Sequence, residues 1–311
     1  MGCPRWCLED SLETPYAGRM TVEMRHLRAL AAIDETESFT VAAAVLGTTQ
    51  PTLSRTIAQL ETLVGTKLVD RTTRKVVLTE RGIEFALEAS SLVGRLDRLL
   101  ERFAGDADIL RLGWAWGGLG KHTHALIRAW QGESQTPIEA IRPDDLETAL
   151  DRAEIDIAIV KRATGEPRAP EGRESRLLFR ESLVAAVAVA NPLAASPHLS
   201  LDEIAHHTVA LCSVSPTASL LLWDEGPTTP QTLMAGNTDE WLMNVVLDRA
   251  VGITSAATAF SHTHPEVVYR DIDDSPEVEV TVEWTEDSAH RSSSDFADFA
   301  QRYFRRITGT S

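Results

Sequence analysis

The segment from Thr49 to Val64 constrains the fold more than any other part of the chain. Leu53, Ile57, Leu60 and Val64 recur at steps of four, three and four, the spacing of one face of an α-helix. Thr49 supplies an N-cap, and Gly65 suits the stop. Pro51 is tolerated in a first turn, where backbone N–H groups have no partner anyway. Gln50, Pro51, Ser54 and Arg55 lie largely on the opposite face, near the N-terminal end. A recognition helix presents such an end to base edges in the major groove. Arginine can read guanine, glutamine can read adenine, and serine can reach a base or a phosphate. Taken alone, the pattern also fits a three-helix bundle with a solvated polar face.

The flanking sequence narrows the choice. Met24, Leu27, Leu30 and Ala31 predict a first helix over 22–35. Thr40 is expected to cap a short alanine-rich helix, Val41 to Leu46, with Gly47 at its end. Two short helices, a tight turn and a polar-faced third helix describe a helix-turn-helix. After Gly65, two short apolar stretches flank a basic, threonine-rich tip. That predicts a β-hairpin wing laying Arg71, Arg74 and Lys75 along phosphates, which adds affinity but little sequence information.

A net charge of −16 looks wrong for a partner of nucleic acid, but the charge is unevenly spread. Residues 24–82 hold eight Lys/Arg against six Asp/Glu, whereas residues 106–311 hold 17 against 32. Such asymmetry separates a part that meets polyanions from a part that does not. No stretch approaches the roughly 20 apolar residues that span a bilayer. Residues 1–20 lack the apolar middle of a secretory signal, so the expectation is a cytoplasmic protein with no membrane partner. That stretch reads as a flexible extension, with Met20 or Met24 as an alternative start. Cys3, Cys7 and Cys212 make no disulfide framework.

Four motif blocks resemble the signature of LysR-type transcriptional regulators. They are Ser38-Phe39-Thr40-x-Ala42-Ala43-x-x-Leu46, then Gln50-Pro51-x-x-Ser54-Arg55-x-Ile57-x-x-Leu60-Glu61, then Gly65-x-x-Leu68-x-x-Arg71, then Leu78-Thr79-x-x-Gly82. One departure is Val69, where the family usually has Phe. The resemblance implies that Gln50, Pro51, Ser54 and Arg55 read bases or the groove edge. Thr49, Arg71, Arg74 and Lys75 complete the expected DNA-binding set.

Beyond Thr79 the pattern is helical to about Phe103. Phe85, Ala89, Leu92, Leu96, Leu99 and Phe103 run as a heptad seam, which implies pairing with a second copy. Two-fold dimers read palindromic half-sites in register. In the family this helix is the dimerisation arm, and homotetramers built from dimers are common. Residues 106–311 then alternate between strands and helices: strands at 110–116, 137–141 and 155–160, and helices to Trp130 and from Asp144 to about Arg152. Repeated β-α-β units argue a mainly parallel sheet. A β-rich run spans 176–190. Strands follow at 208–212, 231–235, 251–254, 267–272 and 278–284, with a helix over 239–249. Phe296, Phe299, Tyr303 and Ile307 form the stripe of a closing helix.

The resemblance implies a two-lobed effector domain, the fold shared with periplasmic solute-binding proteins. The expected organisation is an extension over 1–20, a winged helix-turn-helix over 21–82, a linker helix over 83–105 and the effector domain over 106–311. Lobe one would be 108–161 plus 268–311, and lobe two 162–267. Ligands in open α/β sheets sit beyond the carboxyl ends of strands. That selects Trp116, Gly117, Gly118, Arg142 and Lys161 in lobe one, and Ser213, Ser215, Thr217 and Ser255 in lobe two. Arg142 and Lys161 could hold a carboxylate, so the expected effector is an anionic or aromatic small molecule.

Enzyme readings fail on spacing. A phosphate loop near Gly113 to His122 would need glycine at 115 and Ser or Thr at 122, where the chain has Ala115 and His122. The pairs His122/His124, His206/His207 and His262/His264 lack the ligands that complete a metal site. The expectation is an effector-responsive DNA-binding regulator with no catalytic residues, cofactor or metal. The alternative is a solute-binding protein or enzyme to which a helix-turn-helix has been attached.

Overall fold

The computed structural model describes residues 21–71, 76–104, 108–115, 117–163, 169–170, 172–213, 217–224, 226–286 and 290–308. The expectations for the 1–20 extension and for Arg74, Lys75, Trp116 and Ser215 lie outside these residues. The chain divides at Leu96 into two compact units.

The first unit opens with α1 (Met24–Thr36), α2 (Phe39–Val45) and α3 (Gln50–Val64). The cap of α2 is Ser38 rather than Thr40: its hydroxyl accepts from the Val41 N–H at 3.4 Å, so the helix begins one residue after it. Thr49 caps α3 by accepting from the Thr52 N–H. Leu30, Ile33, Ala42, Leu53, Ile57 and Leu60 form the core that the three helices share. A short antiparallel hairpin follows, β1 (Val69–Arg71) with β2 (Val76–Leu78). Val69, which departs from the family's usual Phe, is buried in that core beside Leu68.

Thr79 then caps α4 (Glu80–Ala104) by accepting from the Gly82 N–H at 3.0 Å. Gly82 is required by space: a Cβ there would lie 1.9 Å from the Leu68 carbonyl oxygen. The hairpin and the start of α4 therefore touch backbone to backbone.

The second unit contains two sheets. Lobe I is built from β3 (Leu110–Trp114), α5 (Thr123–Glu133), β4 (Ile138–Ile141), α6 (Leu146–Asp151), β5 (Ile157–Ala163) and β6 (Arg173–Glu181). Lobe II holds β7 (Leu183–Ala188), β8 (His198–Leu199), α7 (Leu201–Ala205), β9 (Val209–Cys212), β10 (Thr232–Ala235), α8 (Thr238–Val246), β11 (Val251–Ser255), α9 (Ala256–Ser261) and β12 (Val267–Ile272). The chain returns to lobe I with β13 (Val278–Thr285) and α10 (Ser293–Thr308).

The lobe I sheet runs β4-β3-β5-β13-β6, with β3, β4 and β5 parallel and β13 antiparallel to both its neighbours. The lobe II sheet runs β10-β9-β11-β7-β12-β8. Its strands β9, β10 and β11 are parallel, and β7 is antiparallel to β11 and β12. Leu112, Ile157, Val280, Trp130, Phe296 and Phe304 pack between the lobe I sheet and its helices. In α10 the buried stripe turns through Phe304, while Ile307 is exposed. The alternating apolar strands of lobe II are covered on one face by Trp223 and on the other by Trp241.

The sheets place the crossings between lobes later than expected. The β-rich run breaks at Ser182, because β6 pairs with β13 while β7 pairs with β11 and β12. Lobe I therefore extends through Glu181, and β12 belongs to the lobe II sheet. Crossings near Lys161 and Val267 would cut β5 and β12 out of ladders that they complete.

Candidate nucleic-acid interface and effector cleft

The start of α3 is open. Thr49, Gln50, Pro51 and Arg55 are exposed and Ser54 is half-buried, while Leu53, Ile57 and Leu60 are buried on the opposite side. Two anchors hold this edge in place. The Thr49 cap satisfies an N–H at the first turn. At the other end, the buried Glu61 carboxylate accepts from the Leu68 and Val69 N–H groups at 3.0 and 3.2 Å and from Lys67 Nζ at 2.8 Å. One carboxylate thus ties the recognition helix to the first strand of the hairpin. Burial pushes the Glu61 carboxyl up, but these hydrogen bonds outweigh it and hold the pKa below the ordinary value. Arg71 closes β1, and the rest of the basic tip lies outside the described residues.

Beyond the hairpin, α4 carries an apolar stripe that the other described residues leave exposed. Leu92, Leu99, Leu100 and Phe103 are exposed, Phe103 by 83%. The last turns of α4 are fixed to lobe I. Arg98 pairs with the buried Asp156 at the start of β5, whose second oxygen accepts the Arg111 N–H at 2.8 Å. Glu101 accepts from Arg111 at 2.8 Å.

Between the lobes, some of the expected cleft residues converge. Lys161 in β5 donates to Ser255 Oγ at the end of β11, at 2.9 Å. It also pairs at 2.9 Å with Glu181, at the end of β6; the two side chains are 5% and 9% exposed. The second Glu181 oxygen accepts the Ala257 N–H at the start of α9, at 3.0 Å. Ser255 Oγ lies 3.5 Å from Thr258 Oγ1. Gly117 sits with a positive φ of 77°, and a Cβ there would come within 2.7 Å of Thr258 Oγ1 and 2.9 Å of its backbone. A glycine is needed for this close approach of the lobe I loop to α9. Burial pulls the Lys161 ammonium below the ordinary lysine range, an effect that the Glu181 charge partly offsets.

The other expected residues are placed differently. Gly118 lies in the same loop, near the Thr123 hydroxyl. Arg142 is exposed just beyond β4. Ser213 is exposed and hydrogen-bonds the Ala235 carbonyl, whereas Thr217 is buried. Sequence reasoning missed Glu181, Thr238, Thr254 and Thr258. The one available signal was Arg180-Glu181, charged residues interrupting an apolar β-rich run at the crossing between lobes.

A winged helix-turn-helix, an apolar linker helix and two α/β lobes joined by two crossings define the class of two-domain ligand-responsive DNA-binding proteins. The sequence matches the family described as "Bacterial regulatory helix-turn-helix protein, lysR family" over residues 24–83, and the "LysR substrate binding domain" over 136–305. The chain belongs to the LysR family of transcriptional regulators, whose members are not enzymes.

Among relatives, it is 32% identical to the HTH-type transcriptional regulator BudR of Raoultella terrigena over 59% of this chain and 65% of that protein. It therefore spans just under two thirds of that relative's length. It is 34% identical to the HTH-type transcriptional regulator CatR of Pseudomonas putida, over 64% of this chain and 68% of that one. The fold is similar to full-length CbnR crystallised with its target DNA, with a TM-score of 0.61 at 19% identity, covering 90% of this chain and 99% of CbnR. Among the described residues, no helix is long and apolar enough to cross a membrane, and no cluster of three or more His, Cys, Asp or Glu could hold a metal ion.

Proposed function

We propose that this chain is a cytoplasmic, sequence-specific regulator of transcription that binds double-stranded DNA at a palindromic site and responds to a small molecule held between its lobes. The observation that carries this reading is the exposed Gln50, Pro51 and Arg55 edge on a helix whose opposite side buries Leu53, Ile57 and Leu60. Family membership supports it, as does the similarity in fold to CbnR, which was crystallised in complex with its target DNA. Arg55 and Gln50 read base edges, with Ser54 at the groove wall. Arg71, Arg74 and Lys75 bind phosphates on the wing.

The exposed stripe of Leu92, Leu99, Leu100 and Phe103 favours pairing of α4 with a second copy, as a homodimer or a homotetramer of paired dimers. Two copies would set two recognition helices at symmetric half-sites. Effector binding would act by changing the relation of the lobes, and with it the spacing of the paired DNA-binding units. Lys161 and Ser255 already bridge the lobes where a ligand would act. Of the two cations that pointed to an anionic effector, Lys161 is engaged by Glu181. An anion would have to compete with partners that both cations already have.

The test is a mobility-shift assay with the purified chain and genomic promoter fragments, at low and raised salt. Specific fragments are retarded and binding weakens as salt rises. Arg55→Ala lowers affinity for the specific site by about 1–3 kcal/mol and leaves non-specific binding nearly unchanged. Failure to retard any fragment at low ionic strength would end this reading.

A further inference from the structure

Lobe II holds a small cavity at the carboxyl ends of β9 and β11. Its volume is about 10 Å³, and Cys212, Thr238, Trp241, Thr254 and Thr258 are among the residues that line it. Among the described residues, none of its lining side chains is charged. Room of this size admits one water-sized group. Thr238 and Thr254 are 3% and 6% exposed, and both hydroxyl-bearing side chains line this cavity. A hydrogen-bonding ligand group that enters the cavity meets both threonines.

Thr258 connects this cavity to the bridge between the lobes, since its hydroxyl lies 3.5 Å from Ser255 Oγ, which accepts from Lys161. The ligand-like anion at that bridge is the chain's own. Glu181 pairs with Lys161 through one oxygen and accepts the Ala257 N–H through the other. An incoming carboxylate would meet a like charge already holding both donors, and its displacement would leave Glu181 buried and unpaired.

We propose that this cavity is the recognition subsite for the effector, that it takes one uncharged hydrogen-bonding group, a hydroxyl or the end of a carboxamide, and that Glu181 excludes carboxylates from Lys161. The assignment rests on the reading of the chain as a regulator with a ligand between its lobes, and it gives that ligand's chemical class. Glu181 acts as a specificity-determining residue. Thr238 and Thr254 supply the hydrogen bonds.

Acetamide and sodium acetate are matched probes, nearly equal in size and different in charge. The full chain is titrated with each at constant ionic strength, following thermal unfolding and tryptophan fluorescence, to which Trp241 in the cavity wall contributes. Acetamide gives a saturable response and acetate gives none. Thr254→Val weakens the acetamide response about tenfold, the worth of one hydrogen bond. Thr238→Val replaces it should the first variant fail to fold. Glu181→Gln admits acetate, and adding Lys161→Met removes that gain. The proposal is overturned if acetate saturates the unaltered chain as well as acetamide does, if acetamide gives no saturable response, or if both valine variants respond like the unaltered chain. Mobility shift on promoter DNA is read in parallel. Its failure would remove the regulator reading, while failure of the probes with DNA binding intact removes the subsite alone.

Discussion

Glu61 shows how much one side chain decides at the helix-turn-helix end. Its carboxylate accepts two backbone N–H groups of the hairpin and the Lys67 ammonium. Its folded pKa is held below the ordinary 4.5, so folding favours the ionised form. The stabilisation is complete above the unfolded pKa and is lost as pH falls through the lower, folded one. Acidification below about 4.5 therefore loosens the hairpin of the unaltered chain. At neutral pH, Glu61→Gln costs about 1–3 kcal/mol and removes this part of the acid sensitivity. Hydrogen exchange at the Leu68 and Val69 amides reads both effects; an unchanged acid profile in the variant would assign the sensitivity elsewhere. The sequence revealed Glu61 as a motif member but not this work, because its partners lie seven and eight residues away across a turn. Lys161 was visible as a cation at a strand end. Its neutralisation by Glu181 was not, since the two strands meet only through β13, where Val278 faces both Ala163 and Glu181.

Elements were legible wherever one local signal set them. The Thr49 cap and the apolar spacing gave α3, and Asp145, which accepts the Thr148 N–H at 2.8 Å, opens α6 as the paired aspartates suggested. The run from Arg176 to Ala190 was legible only as β structure. Its division at Ser182 depends on which distant strand each half pairs with, and no local pattern encodes that. The start of α4 shows a non-local demand reaching back into the sequence as a single glycine. Gly82→Ala would press a Cβ onto the Leu68 carbonyl and is expected to cost about 1–3 kcal/mol or more, measured as a lower unfolding midpoint of the first unit. Later in the same helix, Leu99 is exposed on the apolar stripe. Leu99→Asp leaves the fold of either unit intact and shifts the sedimentation coefficient toward monomer. A variant that sediments like the unaltered chain would place the self-association surface elsewhere.

Charge belongs to the whole molecule. The chain carries −16 overall, yet residues 24–82 hold a basic excess, concentrated between residues 65 and 82. Which of these fields DNA experiences depends on screening. At physiological ionic strength the Debye length is about 8 Å, so phosphates respond to the cations that touch them and hardly to charges farther off. At 0.01 M salt it is about 30 Å, comparable to a domain, and the 32 acidic residues after position 105 then repel the same phosphates. Two opposed salt effects follow. Between about 0.1 and 0.3 M, the logarithm of the DNA affinity falls linearly with the logarithm of salt, as displaced counterions dictate. Toward 0.01 M the gain in affinity flattens, because long-range repulsion offsets it. Replacing exposed acids that make no ion pair to a recognition element, such as Glu133 and Asp295, with their amides should raise affinity at 0.01 M and leave it unchanged near 0.15 M. Fluorescence anisotropy on a labelled promoter fragment across this range distinguishes the cases. A single straight line down to the lowest salt, identical for the amide variant, would show that the acidic half plays no part in how the chain meets DNA.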